Sequence, residues 1–266
     1  MDSLRGGGGE GRRVVAVTRK TQEQLERMRE AGRVVAECHA LVREMARPGV
    51  RTIDLDREVE ALIRARGGTP AFLGYRGYPA SICASVNDEV VHGIPNRRRL
   101  QEGDILSVDI GVAKDGWYGD AANTIPIGQV SAEAARLIEV CYEALARAIA
   151  AVRPGARLSE IARAVQSYVE GQGYAVVRKY VGHGIGSAMH EEPQVPNFVS
   201  PALLKNDLVL EPGMVLAIEP MVNQGTHQTR TKKNRWTVVT CDGKLSAHAE
   251  HTVAVTEQGH AILTLP

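Results

Sequence analysis

The sequence of 266 residues predicts one α+β domain made of two similar halves whose strands meet at a shared centre. Three observations support this: a motif set occurs twice in the same order, helical periodicity precedes each copy, and acidic residues fall at matching points of the strand-rich segments. Nothing between the halves resembles a linker. We therefore expect one domain over residues 21–266, with halves of about 21–128 and 129–266, and a flexible, Gly-rich tail over residues 1–20.

The clearest repeat is a Pro-Gly turn that lies between two helical patterns in each half. Arg47-Pro48-Gly49-Val50-Arg51 recurs as Arg153-Pro154-Gly155-Ala156-Arg157. A capping box formed by Thr21 and Gln24 predicts the start of the long helix before the first copy. The corresponding helix of the second half is predicted from about Ser131 to Val152. A shorter amphipathic pattern follows each copy, so each half begins with two helices.

The strand-rich segments correspond in pairs: 92–94 with 183–185, 100–109 with 210–219 and, more loosely, 120–124 with 250–254. Each of the last two pairs has an acidic residue at the same point, since Asp109 corresponds to Glu219 and Asp120 to Glu250. Strand parity puts Asp109 and Glu219 on the face away from the helices. Four carboxylates are therefore expected at the shared centre.

A Lys114-Asp115-Gly116 turn signal predicts a β-hairpin over residues 105–125. If the turn is centred between Lys114 and Asp115, Asp109 lies directly opposite Asp120, with β carbons about 4.5–5.5 Å apart. Two ionised carboxylates that close destabilise a sheet unless a cation lies between them. An acidic residue in a strand is more often a surface or edge residue. Because Asp109 interrupts an apolar strand and has counterparts in the second half, we interpret the pair as metal ligands.

His183 lies between glycines in residues 182–186, where backbone freedom lets an imidazole enter a crowded centre. A phosphate-binding loop is the alternative, but no Lys-Ser or Lys-Thr follows, so that signal is weak. Four carboxylates and one imidazole form a hard ligand set that suits Mn²⁺, Fe²⁺ or Co²⁺ and is compatible with Zn²⁺ or Mg²⁺. The set is too large for one ion. We therefore predict two divalent ions about 3.5–4 Å apart, the arrangement of two-metal hydrolases.

Composition excludes several other functions. Lys and Arg total 32 against 31 Asp and Glu, so the net charge of +1 gives no electrostatic case for nucleic acid or an anionic membrane surface. No apolar run is long enough to span a bilayer. The four cysteines are scattered without a CxxC pair, which is typical of reduced thiols in a cytoplasmic protein.

With these residues placed, the sequence resembles the type I, bacterial-like methionine aminopeptidases from about Thr21 to the C-terminus. The resemblance is carried by nine motifs: Gly74-Tyr75-Arg76-Gly77-Tyr78-Pro79, Ser85-Val86-Asn87, Val91-His92-Gly93-Ile94-Pro95, Asp109-Ile110-Gly111, Gly119-Asp120, Gly182-His183-Gly184-Ile185-Gly186, Met189-His190-Glu191-Glu192-Pro193, Ile218-Glu219-Pro220-Met221 and Glu250-His251-Thr252. It implies the pita-bread (creatinase/aminopeptidase) fold, with two pseudo-twofold-related αβ halves around a central curved antiparallel sheet.

The resemblance also implies an activity and the residues that carry it. The activity is removal of the N-terminal (initiator) methionine from nascent proteins and peptides with a small second residue, through a metal-bridging water nucleophile. The implied metal ligands are Asp109, Asp120, His183, Glu219 and Glu250. His190 is expected to stabilise the developing oxyanion, His92 to orient the scissile amide, and Glu219 to shuttle a proton.

Other histidines have weaker support. His39, His227, His248 and His260 match no motif, and we interpret them as surface or structural residues. His251 follows a predicted ligand and is expected to support it.

The residues that bind the methionine side chain are implied by position in the same motifs. Together with His92 and His190 they are Phe72, Tyr75, Tyr78, Cys83, Met189 and Trp236. An apolar slot of this kind suits a thioether. Ordinary core filling is the alternative for the aromatic residues, above all for Tyr75. Phe72 and Met189 stand where bacterial members often have Cys and Phe, so the pocket width and the tolerance of the second residue stay open.

The remaining expectations concern partners. The resemblance implies a weak monovalent cation site near Asn87 and Ser246, substrates that are peptide and nascent-chain N-termini, and a monomer. Transient ribosome contact through residues 97–99 and 232–233 is compatible with work on nascent chains, although a solvated loop is the default interpretation.

Two rival functions remain. The first is a prolidase or aminopeptidase P, whose additional N-terminal domain finds no room in residues 1–20. The second is a binding protein that kept the fold and lost its metal, which the presence of all five ligands and both histidines disfavours.

Overall fold

The computed structural model describes residues 17–266, so most of the predicted tail lies outside the described residues. The helices in this range are α1 (Gln22–Met45), α2 (Thr52–Ala65), α3 (Ala132–Ala150), α4 (Leu158–Gly171) and α5 (Pro201–Lys205), with a 3-10 turn at Tyr75–Gly77. The strands are β1 (Thr69–Pro70), β2 (Cys83–Val86), β3 (Glu89–Val91), β4 (Ile105–Lys114), β5 (Trp117–Pro126), β6 (Ala175–Val176), β7 (Gly182–Gly184), β8 (Glu191–Val195), β9 (Val215–Ile218), β10 (Met221–Asn223), β11 (Thr229–Thr231), β12 (Val238–Thr240), β13 (Ser246–His248), β14 (His251–Thr256) and β15 (Gly259–Ile262). Between Val17 and the C-terminus, no helix has the length and apolar character needed to cross a membrane.

The predicted repeat is confirmed in the backbone. Helices α1 and α2 of the first half correspond to α3 and α4 of the second, and Thr21 forms the predicted capping box at the start of α1. After the long helix of each half, the Pro-Gly turn is tied to the segment that leads into a carboxylate-bearing strand. The Gly49 N–H donates to the Leu100 carbonyl at 2.7 Å, and the Gly155 N–H donates to the Leu210 carbonyl at 2.9 Å. Both halves therefore hold their strands to their helices in the same way.

The strands form antiparallel sheets that meet between the halves. In the first half β4 pairs with β1, β2 and β5; in the second the order is β15-β14-β9-β7-β8. Two three-stranded sheets, β13-β10-β6 and β11-β12-β3, complete the structure of residues 17–266. The halves are joined where β5 meets the start of β14: the Glu250 N–H donates to the Ala122 carbonyl at 2.9 Å, and the Ala122 N–H donates back at 3.4 Å.

The apolar core lies between the helices and one face of the strands. In the first half Leu106, Val108 and Ile110 of β4 pack in one cluster with Val35 and Cys38 of α1. The predicted alternation of β4 is therefore confirmed. Because successive side chains point to opposite faces, the strand buries its aliphatic residues under the helices and turns its acidic residue the other way.

The predicted register of the hairpin was wrong. Asp109 lies opposite Ala122, and Asp120 lies opposite Gly111. The cause is the turn, whose two-residue loop is Asp115-Gly116, with φ values of +49° and +79°. A two-residue hairpin loop of this type needs positive φ at both positions, which Asp-Gly supplies more readily than Lys-Asp. A slip of two residues keeps both carboxylates on one face, as diagonal neighbours about 7–8 Å apart.

The last four residues of the predicted tail, 17–20, make specific contacts with the second half. The Lys20 ammonium donates to Glu191 Oε2 at 2.8 Å, and the Thr18 hydroxyl donates to the same oxygen at 2.6 Å. The Lys20 N–H also donates to the Gly213 carbonyl at 2.6 Å. Residues 17–20 are therefore fixed to the second half, and the side chain of Lys20 is only 3% exposed. Composition does not reveal this anchor because the partner is 171 residues away.

Helix α1 approaches the strands so closely that two backbones touch at glycines. A β carbon added at Gly32 would lie 2.0 Å from the Leu263 carbonyl oxygen, and one at Gly119 would lie 2.8 Å from the Gly32 nitrogen. Real β carbons do not come this close to backbone atoms. Because Gly119 precedes Asp120, the same contact fixes the strand that carries an acidic residue.

We expect Gly32→Ala to lower the free energy of unfolding by about 1–3 kcal/mol, the usual cost of forcing an extra methyl group into a packed site. Urea denaturation in the presence of EDTA measures this. The control is Gly171→Ala at the end of α4, where an added β carbon meets nothing within 4 Å. That change should be neutral or stabilising by up to about 1 kcal/mol. Equal effects of the two substitutions would contradict the close approach of α1.

Candidate metal centre

The carboxylates of the two halves are fixed relative to each other by backbone bonds between β5 and β14. The Asp120 N–H donates to the Thr252 hydroxyl oxygen at 3.0 Å, and the Thr252 hydroxyl donates to the Asp120 carbonyl at 2.8 Å. Together with the reciprocal bonds between Ala122 and Glu250, these contacts hold two acidic residues from different halves at one point. The carboxylate oxygens of Asp120 and Glu250 can therefore meet without large side-chain movements.

His183 enters the same point from β7, the strand between β8 and β9. Its Nδ1 lies 2.9 Å from the Gly184 carbonyl oxygen, which can only accept, so Nδ1 carries the hydrogen. Nε2 then presents a lone pair, 3.8 Å from Asp120 Oδ2 and 3.8 Å from Glu219 Oε1. A second ring nitrogen that donates to a backbone carbonyl is the usual arrangement of a metal-binding histidine.

The five predicted ligands face one cavity. Ligand atoms of Asp120, His183 and Glu250 lie within 4.8 Å of one another, and all three residues are buried. Asp109 and Glu219 line the same cavity, whose volume is about 150 Å³. The structure therefore brings all five side chains together, as the sequence predicts, although their role as ligands stays a prediction.

Burial dominates the electrostatics of this cluster. It raises the pKa of Asp120 to about 7, and it raises the pKa of Asp109, Glu219 and Glu250 well above the ordinary value, with repulsion between the carboxylates adding to the shift. Within residues 17–266, Asp109 Oδ1, Asp120 Oδ1 and Glu250 Oε1 are buried and accept no hydrogen bond.

Unpaired buried oxygens with suppressed ionisation are costly, and a divalent cation removes that cost by favouring the ionised form. The donor set therefore fits divalent metal ions. No other cation competes for these oxygens, since neither a lysine nor an arginine of the described chain pairs with any of the four carboxylates.

Two further histidines border the cluster. The His190 ring stacks on Tyr75 with centroids 5.2 Å apart and lies 4.1 Å from the His183 ring. His92 meets Tyr180 and Trp236 edge-on, at 5.8 and 6.5 Å. Its φ of +57° is uncommon for a residue other than glycine, and such conformations cluster at functional sites. Burial lowers the pKa of His92 to about 4 and also lowers that of His190, so both are neutral N–H donors near pH 7.

The other end of the cavity is apolar. Phe72, Tyr78, Cys83 and Met189 form a buried cluster against which Trp236 packs. The Tyr78 hydroxyl, which would be costly to bury unpaired, donates to the Gly93 carbonyl at 2.9 Å and so leaves the ring face to the cavity. Tyr75 is half-buried and stacked on His190, which agrees with a place in the cavity wall better than with ordinary core filling.

Comparison with known proteins identifies the family. The sequence profile of metallopeptidase family M24 matches residues 26–257. The chain belongs to metallopeptidase family M24.

Methionine aminopeptidase of Clostridium acetobutylicum is 51% identical over 247 residues, which cover 92% of this chain and 98% of that protein. Methionine aminopeptidase 1 of Bacillus subtilis is 49% identical over 245 residues, with the same two coverages. The crystal structure of methionine aminopeptidase from Rickettsia prowazekii superimposes with a TM-score of 0.91 at 41% identity, over 94% of this chain and 100% of that one. The predicted pita-bread fold is thereby confirmed.

Sequence reasoning missed three residues of this M24 site. Arg76 lines the cavity beside Tyr75, and Tyr180 contacts His92. His248, interpreted from sequence as surface or structural, is buried, with Nε2 3.7 Å from Glu219 Oε2. A signal for His248 was present: it lies two residues before Glu250, and alternate residues of an extended segment share a face.

The predicted monovalent cation site lies where Asn87 and Ser246 meet. The Ser246 N–H donates to the Asn87 carbonyl at 2.9 Å, so the two named residues are neighbours. The Ser246 hydroxyl donates to Asn223 Oδ1 at 2.8 Å. The cation itself stays a prediction.

We expect the free energy of unfolding of the metal-free M24 domain to depend on pH through its buried carboxyl groups. The pKa of Asp120 rises from 3.8 to about 7 on folding, so the folded state holds the extra proton between these values. Its contribution is fully present below pH 3.8 and is lost as pH rises through about 7. Because buried histidines have the opposite pH dependence, the variant Asp120→Asn must be compared with the parent chain at each pH.

In EDTA, Asp120→Asn should gain stability relative to the parent chain between pH 4.5 and pH 8, by up to about 4 kcal/mol. With saturating Mn²⁺ at pH 8 the order should reverse, because the parent chain binds the ions more tightly. Urea denaturation measures both. A stability difference that is independent of pH and of metal would contradict the assignment of Asp120 to a metal centre.

Proposed function

We propose that this chain is a metal-dependent methionyl aminopeptidase, which removes the N-terminal (initiator) methionine of nascent proteins and peptides when the second residue is small. The observation that carries the proposal is that the acidic cluster and an apolar, single-side-chain pocket share one cavity of about 150 Å³. A cavity of this size accommodates one benzene-sized group. The names of the relatives at 49% and 51% identity support the same activity.

The ligand set supports two divalent ions, of which Mn²⁺, Fe²⁺ and Co²⁺ suit the donors best and Zn²⁺ is compatible. Asp109, Asp120, His183, Glu219 and Glu250 would hold them. When bound, such ions would supply an acidified water molecule and would polarise the carbonyl of the first peptide bond. A bound ion would also offer a position for the free amine of a substrate at this end of the cavity. That would explain why the enzyme is an exopeptidase rather than an endopeptidase.

The apolar wall selects the first side chain. A methionine thioether packs well against aromatic rings, and Tyr78 and Trp236 meet edge-to-face at 5.1 Å to form such a surface. Phe72 and Met189 are bulky and buried, so they limit the depth available to a longer or branched side chain. The width of this slot decides how strictly methionine is preferred.

Three side chains are assigned catalytic roles around the scissile bond. His190, neutral and next to His183, donates an N–H to the carbonyl oxygen as negative charge develops there. His92, on the Trp236 side, orients the scissile amide and assists proton transfer. A Glu219 oxygen accepts the proton of the attacking water and passes it to the departing amine.

The proposal also covers the substrates of the enzyme and its location in the cell. Free peptide and nascent-chain N-termini are the substrates. Four free cysteines, of which Cys38, Cys83 and Cys141 are buried, support a reducing, cytoplasmic location. Ribosome contact through residues 97–99 and 232–233 and a monomeric state stay predictions, as does the identity of the physiological metal.

Peptide turnover tests the activity. With Mn²⁺ or Co²⁺ added, we expect release of methionine from Met-Gly-Met and from peptides with another small second residue, and little release when the second residue is leucine. EDTA should abolish the reaction, and metal should restore it. Preference for Xaa-Pro bonds would favour a prolidase-type enzyme, and absence of turnover with every metal would favour a non-catalytic binding protein.

The variant His92→Ala tests the catalytic assignment. We expect kcat to fall by about 10²–10⁴-fold, the usual contribution of a positioned acid or base, with metal content unchanged by elemental analysis. The control is the exposed residue His227, whose replacement by alanine should leave kcat unchanged. Near-native kcat in His92→Ala would remove His92 from the mechanism.

A further inference from the structure

His248 ends β13 and has a rigid backbone. Its N–H donates to the Thr124 hydroxyl oxygen at 2.9 Å, and the Thr124 hydroxyl donates to the His248 carbonyl at 2.7 Å. Ser107 lies 2.7 Å from the same Thr124 oxygen and donates to it, since the Thr124 hydrogen is already used. This hydroxyl chain crosses from β4 through β5 to β13, so the direction of the His248 side chain is set by both halves of the domain.

The imidazole has no conventional partner at its tip. His248 is only 1% exposed, and its Nε2 forms no hydrogen bond with any group of residues 17–266. The carboxylate oxygens near this nitrogen are Glu219 Oε2 at 3.7 Å and Glu250 Oε2 at 4.0 Å. Burying a polar nitrogen without a partner is costly, so its direction toward two acidic side chains needs an explanation.

The two oxygens of Glu219 face different imidazoles. Oε1 lies 3.8 Å from His183 Nε2, which carries a lone pair because the hydrogen of that ring is on Nδ1. Two acceptors that face each other need a proton or a cation between them. Oε2 faces His248 Nε2, whose hydrogen is not assigned to another acceptor. In its Nε2–H tautomer, His248 can therefore donate to Oε2 of Glu219, which leaves Oε1 free to bind a metal ion.

We propose that His248 is a positioning residue that donates its Nε2–H to Glu219 Oε2 and so keeps Oε1 directed at His183 and the metal centre. The present gap exceeds hydrogen-bond length by about 0.5 Å, which a small rotation of the Glu219 carboxylate closes. The catalytic part of this inference rests on the proposed function; the effect on metal binding does not.

A donor behind a ligand carboxylate has measurable consequences. Hydrogen bonds to the ligands of a metal orient them, and their loss commonly costs 10–100-fold in metal affinity or activity. If His248 instead bound an ion directly, its removal would reduce the number of ions. If it only filled space, an apolar residue of similar size would replace it. These three cases differ in affinity, in stoichiometry and in rescue by another donor.

The experiment compares His248→Leu, which removes the donor, with His248→Gln, which retains an N–H at similar reach. Co²⁺ titration with visible absorption gives the stoichiometry and affinity of each chain, and Met-Gly-Met turnover gives kcat and KM separately. We expect His248→Leu to bind two ions, with affinity and kcat about 10–100-fold lower and little change in KM. His248→Gln should restore both to within a few-fold of the parent chain.

The control is His39→Leu, which removes another buried histidine; its Nε2 donates to the Ala121 carbonyl, and within residues 17–266 it forms no hydrogen bond or ion pair with a predicted ligand side chain. It should keep the parent affinity and kcat. If His248→Leu does not fold, His248→Asn takes its place, because it keeps an N–H but shortens its reach, and it should lose what His248→Gln retains.

Three results would overturn the proposal: unchanged affinity and kcat in the variant without the donor, loss of one ion in both variants, or equal losses with and without the replacement donor. Failure of the parent chain to release methionine would overturn the proposed function alone. The Co²⁺ comparison would still decide whether His248 positions Glu219.

Discussion

Mutual repulsion and lost hydration of four carboxylates, two buried and two half-buried, are the constraint on which the rest of this structure depends. Repulsion and burial raise the pKa values of such a cluster, and three of its oxygens accept no hydrogen bond within the described chain. Divalent ions resolve the conflict only if the oxygens are already in place. The surrounding backbone must therefore hold the acidic groups close together against their mutual repulsion.

The repeated architecture provides that rigidity from two directions. Each half supplies one carboxylate-bearing strand that is tied to its helices through an equivalent Pro-Gly turn. The halves are then joined beside the cluster, where Thr252 bonds to the backbone of Asp120 and Glu250 bonds to that of Ala122. The two halves nevertheless differ at the site. The second half alone contributes an imidazole, that of His183. The apolar wall comes mainly from residues near the start of the first sheet.

The sequence predicted the fold and the acidic centre because both rest on short-range patterns. Helix caps, turn residues and alternation along β4 are local, and the repeat places the second pair of carboxylates by correspondence with the first. The register of the hairpin failed because a choice between adjacent turn centres depends on backbone φ, which favours Asp115-Gly116. Lys20 was missed for a different reason: its partner, Glu191, is distant in sequence, and no local pattern encodes such a contact. His248 could have been placed from its position two residues before Glu250, but its contact with Glu219 could not.

The central claim is that the buried carboxylates form a site for two divalent ions, and calorimetric titration tests it most directly. Mn²⁺ would be added to metal-free protein at pH 7 in two buffers that differ in ionisation enthalpy, so that bound ions and released protons are counted together. Because burial raises the pKa of these carboxyl groups, metal must displace protons from them. We predict saturation at two ions per chain, with release of at least one proton. Absence of saturable binding, or binding with no proton release, would contradict it.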